Sequence, residues 1–214
     1  MARGRSASYD DQREAILAAA ASLFAQRGYA GTSMNQVAEA SGLSKATLYH
    51  YFTDKYALLV QITEEHVRAL EALVIDLEAQ ALPAEDRVRA LIERIIQEYA
   101  GAQDAQRVLT EDVRFLEDAD RERILGIERR VVAGFARAVA AWQPQQHDAG
   151  LTKPLTMLLF GMINWMFTWL KPGGGLTHAD IAPIVADLFF AGVPGVQPTR
   201  AGAVRAARAV RRRA

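Results

Sequence analysis

The sequence predicts an all-α fold, and three observations carry that prediction. Alanine, leucine and arginine dominate while β-branched residues never form a long run, a composition that suits helices. Apolar residues recur at helical spacing, as Ile16, Ala20, Leu23 and Phe24 do at i, i+4, i+7 and i+8. Polar caps, glycines and prolines punctuate these stretches. With 214 residues, half of them apolar, the chain can bury a core as one large or two small domains.

The elements follow in order. A first helix starts near Asp10 and closes at Gly28, a natural left-handed terminus. After the loop "GYAGTS", Ser33 and Gln36 form a capping box that starts a second helix carrying Met34, Val37 and Ala38. Gly42 stops it, Ser44 caps a third helix, and Asp54 caps a fourth that begins at Lys55. The fourth runs to about Ala81, with Leu58, Leu59, Ile62, His66, Leu70, Leu73 and Leu77 near one side, until Pro83 ends it. "AEDRVRALIERIIQEYAG" predicts a fifth helix with Val88, Leu91, Ile92, Ile95 and Tyr99 inward and Gly101 just beyond it. A short segment over 103–115 and a long helix over 118–142 come next, then "QPQQHDAG" as a loop. An apolar helix over 152–170 ends at "KPGGG", and a last helix spans about 178–191.

Charge and cysteine usage narrow the possible roles. The formal net charge is zero, but residues 200–214 hold six arginines and no acid, and residues 1–56 hold six basic and five acidic side chains. Residues 57–199 hold 13 basic and 20 acidic ones, so contact with a polyanion is confined to the ends of the chain. No cysteine is present, which removes disulfides and thiolate metal sites and fits a cytoplasmic location. The polar start "MARGRSASYDDQRE" lacks the apolar segment of a signal peptide. "LTMLLFGMINWMFTWL", residues 155–170, is too short to span a bilayer and is expected to be buried between helices.

Residues 33–52 carry the chemistry. A short helix, a glycine turn and a second, polar helix form a helix-turn-helix, whose second helix fits the major groove of duplex DNA. Ser44 and Ala46 are small enough for close entry, Thr47 offers a methyl and a hydroxyl, and Lys45 offers charge or a bond to guanine. Tyr49, His50 and Tyr51 add hydrogen-bonding groups, the first two long enough to reach phosphate oxygens. Thr32 and Ser33 sit at one helix start and Lys55 at another, where unpaired amides attract phosphate. Leu43, Leu48 and Phe52 form the apolar side that packs on Leu23 and Phe24.

Residues 13–62 resemble the N-terminal domain of the tetracycline-repressor (TetR) family of transcriptional regulators. The likeness runs through Ile16, Ala20, Leu23, Phe24, Gly28, Tyr29, Thr32, Ser33, Val37, Ala38, Ala40, Gly42, Ser44, Thr47, Leu48, Tyr49, Tyr51, Phe52, Lys55, Leu58 and Leu59. Tyr56 and Ala57 depart from the family, which often carries glutamate there. The resemblance implies a flexible basic arm over 1–9, a DNA-binding domain over 10–56, a helical ligand-binding and dimerisation domain over 57–192, and an Arg-rich tail over 193–214. It implies a homodimer on a palindromic operator, released by a small hydrophobic effector, with no cofactor and no metal. The dimer contact is expected on helices 152–170 and 178–191, through Leu155, Leu159, Met162, Met166, Trp169, Ile181, Val185, Leu188 and Phe189. Candidate effector contacts are His66, Tyr99, Arg114, Phe115, Asn164, Trp165 and Phe167.

A narrower likeness points to an effector. "NWMFTWLKPGGGLTHADIA", residues 164–182, is similar to a segment of TetR-family repressors that respond to acyl-coenzyme A thioesters, with Arg114, Arg121 and Arg123 as candidate phosphate partners. The alternative is control of drug efflux by hydrophobic or cationic compounds, or a DNA-binding structural protein that senses nothing. Arg3 and Arg5 suit a minor-groove arm, and the tail is expected to be a solvated end. An enzyme is not expected: His50, His66, His147 and His178 lack metal-ligand spacing, and there is no G-x-S-x-G or phosphate-loop pattern.

Overall fold

The structure, a computed structural model, describes residues 3–171 and 173–197, with side chains from Tyr9 onward. Among the described residues all regular structure is helical: α1 Arg3–Gly31, α2 Met34–Ala40, α3 Lys45–Tyr51, α4 Lys55–Ala79, α5 Ala84–Gly101, α6 Gln103–Asp112, α7 Asp118–Trp142, α8 Pro144–Asp148, α9 Thr152–Asn164 and α10 His178–Gly192. The side chains of Arg3 and Arg5 and the arginines from Arg200 onward lie outside the described residues.

Local chemistry accounts for most boundaries. Gly28 (φ +75°) breaks α1 and Gly42 (φ +67°) ends the α2 turn, both in the left-handed region that costs glycine nothing. Ser33 and Gln36 make the expected capping box, and Ser44 Oγ accepts the Thr47 N–H at 3.1 Å. Asp54 accepts the Ala57 N–H at 2.7 Å. A second capping box, Thr177 with Asp180, starts α10.

Four boundaries differ from the expectations. Helix begins at Arg3 rather than near Asp10, since nothing in "RSASYDD" forbids it, and Gly101 falls inside α5. The loop over 143–150 contains α8, where Pro144 occupies the first helical position that tolerates a missing N–H. The apolar helix stops at Asn164, not residue 170. There the Thr168 hydroxyl donates to the Trp165 carbonyl at 2.7 Å and the chain tightens into a 3-10 turn over Met166–Thr168.

The chain divides into two compact units, Met1–Ala69 with Ala102–Ile127, and Leu70–Gly101 with Glu128–Ala214. In the first, Ile16, Ala20 and Phe24 of α1 share a core with Val37, Leu48, Leu58 and Leu59, and also with Val108 and Leu109 of α6 and Ile124 of α7. Helices α2 and α3 therefore rest on residues far beyond position 56. Arg123 bridges Glu64, at 2.9 Å, and Asp120. Tyr56 donates its hydroxyl to Asp120 at 2.7 Å and accepts the Glu117 N–H at 2.9 Å, so the residue that departs from the family pattern pins the start of α7.

The second unit packs Leu73, Val74 and Leu77 of α4 against α5, α7, α9 and α10, with Ile92, Ile95, Phe135, Phe160, Ile163 and Phe189 at its centre. Here α4 and α7 run parallel. Arg130 meets Glu71 at 2.5 Å and Arg137 meets Glu78 at 2.7 Å, each partner advancing seven residues. These arginines are more than half exposed, so the pairs set register more than stability. Gly134 lies between them, and a Cβ there would sit 2.2 Å from Val74 Cγ1.

Candidate nucleic-acid interface

The third helix presents a polar face held by an apolar one. Leu48 is fully buried and Phe52 nearly so, while Ser44, Lys45, Ala46, Thr47, Tyr49 and His50 are exposed. The Ser44 and Thr47 hydroxyls lie 2.8 Å apart and Lys45 Nζ sits 5.9 Å from the centre of the Tyr49 ring, so the outward groups also contact one another. Tyr51 is half-buried beneath Tyr9, whose ring stacks on it at 4.6 Å. Tyr9 and Arg13, whose guanidinium lies 5.7 Å from the Phe52 ring centre, brace the end of α3 from α1. Sequence reasoning missed both, because a stacking partner some forty residues away leaves no local signal.

Two expected phosphate contacts turn inward. Thr32 is 3% exposed and gives its hydroxyl to the Leu23 and Gly28 carbonyls. Lys55 Nζ donates to the Tyr29 carbonyl at 2.7 Å and the Thr32 carbonyl at 2.8 Å, and stands over the Tyr29 ring. Lys55 thus binds two carbonyls that follow the break at Gly28, and it ties the end of α1 to the start of α4. Ser33 stays exposed, but its side chain is occupied by the Gln36 cap. Replacing Lys55 by methionine is expected to lower stability by about 2 kcal/mol, the scale of charge-assisted bonds. Chemical denaturation measures that loss, and a salt dependence of DNA binding that stays unchanged separates the tether from a phosphate contact.

The candidate effector contacts do not form one group. In the first unit, buried His66 Nε2 and Gln106 Oε1 share a 2.7 Å hydrogen bond. In the same unit Arg114 is exposed above the Phe115 ring, which leans on Tyr29. Asp112, buried and raised in pKa by that burial, accepts the Tyr29 N–H at 3.1 Å. In the second unit Tyr99 donates to Asn164 Oδ1 at 2.9 Å, while Trp165 is 62% exposed. Phe167 is partly buried, 6.1 Å from the Trp165 ring. Of the phosphate partners expected for coenzyme A, Arg121 is engaged by Asp118 and Arg123 by Glu64 and Asp120.

A profile described as bacterial regulatory proteins of the tetR family matches residues 16–62, and one described as a tetracyclin repressor-like C-terminal domain matches residues 81–193, more than half of the chain. The chain belongs to the TetR family. Among relatives of this TetR-family protein, the transcriptional activator FasR of Mycolicibacterium smegmatis is 32% identical over 91 residues, 42% of each chain. The transcriptional regulator LmrA of Bacillus subtilis is 34% identical over 101 residues, 46% of this chain and 53% of its own. The matched stretch spans about half the length of these relatives. A TetR-family regulator from Bordetella parapertussis superposes with a TM-score of 0.79 at 29% identity, covering 87% of this chain and 98% of that one. AibR, solved with isovaleryl coenzyme A and operator DNA, gives 0.69 at 29% identity, covering 83% and 98%.

The apolar surface of this TetR-family chain is not the one expected for a dimer contact. Leu155, Leu159, Met166, Ile181, Val185 and Phe189 are buried in their own unit, and Met162 is partly so. The exposed row is Met157, Leu158, Trp165 and Trp169, with Ile184 and Leu188 on α10; only Trp169 and Leu188 were anticipated. An apolar helix offers no periodicity to tell its two sides apart, so the side chains expected to face a partner are mostly ones that pack inward. Among the described residues no helix is long and apolar enough to cross a membrane.

Proposed function

We propose that this TetR-family protein regulates transcription by binding a palindromic operator as a homodimer, and that a small molecule shifts its affinity for that operator. The observation that carries this reading is α3 itself. A seven-residue helix behind a left-handed glycine, capped at Ser44, anchored by Leu48, carries Lys45, Thr47, Tyr49 and His50 into solvent. Such a helix has no packing need for those groups, whereas the major groove does. The exposed apolar side chains of α9 and α10 support self-association, since a row that large is rarely left to water. The AibR structure, with both coenzyme A thioester and operator DNA, supports effector control.

Selection from random DNA by the purified chain, free of effector, tests the reading. Recovery of a palindrome with half-sites at groove spacing is expected; recovery of no preferred sequence at low salt overturns it. On that palindrome, Lys45→Ala is expected to weaken binding and reduce the logarithmic salt slope by about 1 per reader helix, measured by titration at several salt concentrations. The effector class divides between an acyl thioester, which AibR's ligand favours, and a hydrophobic cation. The ion pairs that occupy Arg121 and Arg123 favour the cation, because they leave those two side chains poor partners for the phosphates of coenzyme A.

A further inference from the structure

Two consecutive residues in the first turn of α4 bind different parts of the first unit. Lys55 holds the Tyr29 and Thr32 carbonyls at the end of α1, while the half-buried Tyr56 reaches the start of α7. The Tyr56 contact has a specific form. Glu117 stands just before α7 and its carbonyl accepts the Arg121 N–H at 2.9 Å, as the carbonyl of a capping residue does; Asp120 is the third residue of that helix. In a capping box the third side chain reaches back to the N–H of the capping residue. Here the Tyr56 hydroxyl stands between the two, accepting the Glu117 N–H at 2.9 Å and donating to Asp120 Oδ2 at 2.7 Å. Asp120 is held below the usual carboxylate range, first by that hydroxyl and then by Arg123, so it is the charged acceptor such a bond favours. Arg123 continues to Glu64 of α4 at 2.9 Å, and Asp112, ahead of α7, accepts the Tyr29 N–H at 3.1 Å. A capping box closed within its own helix needs no second element. This one is complete only while the first turn of α4 is in place.

We propose that Tyr56 is a positioning residue for the DNA reader: its hydroxyl, inserted into the cap of α7, fixes the first turn of α4 and through it the pose of α3. Only Phe52, Thr53 and Asp54 separate α3 from α4, and Asp54 accepts the Ala57 N–H at 2.7 Å, so a rotation of that turn carries α3 with it. Base edges must be met in a fixed register, whereas attraction to phosphates is less directional. A reader that has lost its pose therefore loses base contacts first. Tyr56 is not itself a phosphate donor, because its one proton is committed to Asp120. The inference rests on the reading of α3 as the DNA-reading helix, and it adds a residue outside α3 on which that reading depends.

Tyr56→Phe removes the hydroxyl and keeps the ring. On the palindrome recovered by selection, and well below the unfolding midpoint of each variant, its affinity is expected to fall about tenfold, the scale of one lost base contact. Affinity for a random duplex at the same salt is expected to stay unchanged, since no basic group is removed. Asp120→Ala takes away the acceptor from the α7 side and is expected to give a similar loss, with the double variant losing no more than either single one. A merely structural role lowers the unfolding midpoint but leaves the operator-to-random ratio of the folded protein intact. That result overturns the proposal, as do equal losses on both duplexes or additive losses in the double variant. Amide hydrogen exchange of the full chain without DNA gives a second readout. In Tyr56→Phe the Glu117 amide is expected to exchange faster, and the amides of α3 with it, while those of α9 stay as they were. Acceleration confined to Glu117 overturns the proposal. Should the unsubstituted chain select no DNA sequence, the regulatory reading falls, and the exchange of the α3 amides still decides whether Tyr56 holds that helix.

Discussion

Replacing Leu158 and Leu188 together by glutamate is expected to convert the proposed homodimer to monomers and to lower operator affinity by about 100-fold or more. Both side chains are over 60% exposed in the single chain, so their removal leaves the protomer core untouched and the monomer folded. In an association they lie within the row of Met157, Trp165, Trp169 and Ile184, where two buried carboxylates facing their copies are strongly unfavourable. Loss of the second half-site contact removes the effective-concentration gain of a linked pair, on the order of 10² to 10⁴. Sedimentation equilibrium and operator titration measure the two effects on the same sample. A double variant that stays dimeric moves the interface elsewhere; a monomer that binds the operator undiminished removes the need for symmetry. The matching change at Leu155 or Val185, which the sequence alone nominated, is expected to unfold the protomer, since both are buried in its core.

The substitution Gly134→Ala is expected to destabilise the protein by about 2 kcal/mol or more through a single added methyl. Its Cβ would stand 2.2 Å from Val74 Cγ1, well inside any tolerated contact, and Val74 is buried with a stiff branched side chain that has little room to rotate. The neighbouring pairs, Glu71 with Arg130 and Glu78 with Arg137, resist a shift of α7 along α4. Relief must come from spreading the two helices, which opens voids around Leu73 and Leu77. Denaturant unfolding reads the loss as a lower midpoint at unchanged slope. Pairing Gly134→Ala with Val74→Ala tests the cause: partial recovery is expected from the overlap, whereas additive losses would assign the effect to backbone preference. Alanine is the better helix former of the two residues, so any loss at all argues for the contact.

The glycine shows what kind of information the sequence withholds. Inside a helical pattern, Gly134 reads as a minor weakness or as nothing; its reason is an opposing residue sixty positions earlier. Tyr56 is similar. Seen alone it departs from a family habit, and only its bonds to Asp120 and Glu117 reveal a role. Lys55 was assigned outward because a lysine at a helix start is an anion site by default. The three-dimensional path of the chain past Gly28 places two carbonyls within its reach and turns it inward.

By itself the sequence determined the all-α fold, the order and most boundaries of the helices, and the identity of the reader helix with its outward groups. Those features depend on interactions within a few residues: caps such as Ser33 with Gln36, turns at Gly28 and Gly42, and apolar spacing that marks one side of α3. Only the tertiary structure decided which side of α9 and α10 is exposed, which lysine is a tether, and how Tyr9 supports Tyr51. The physical reason is range. Helix formation and capping are settled by neighbours along the chain, whereas burial and hydrogen-bond satisfaction depend on groups that folding brings together from tens of residues apart.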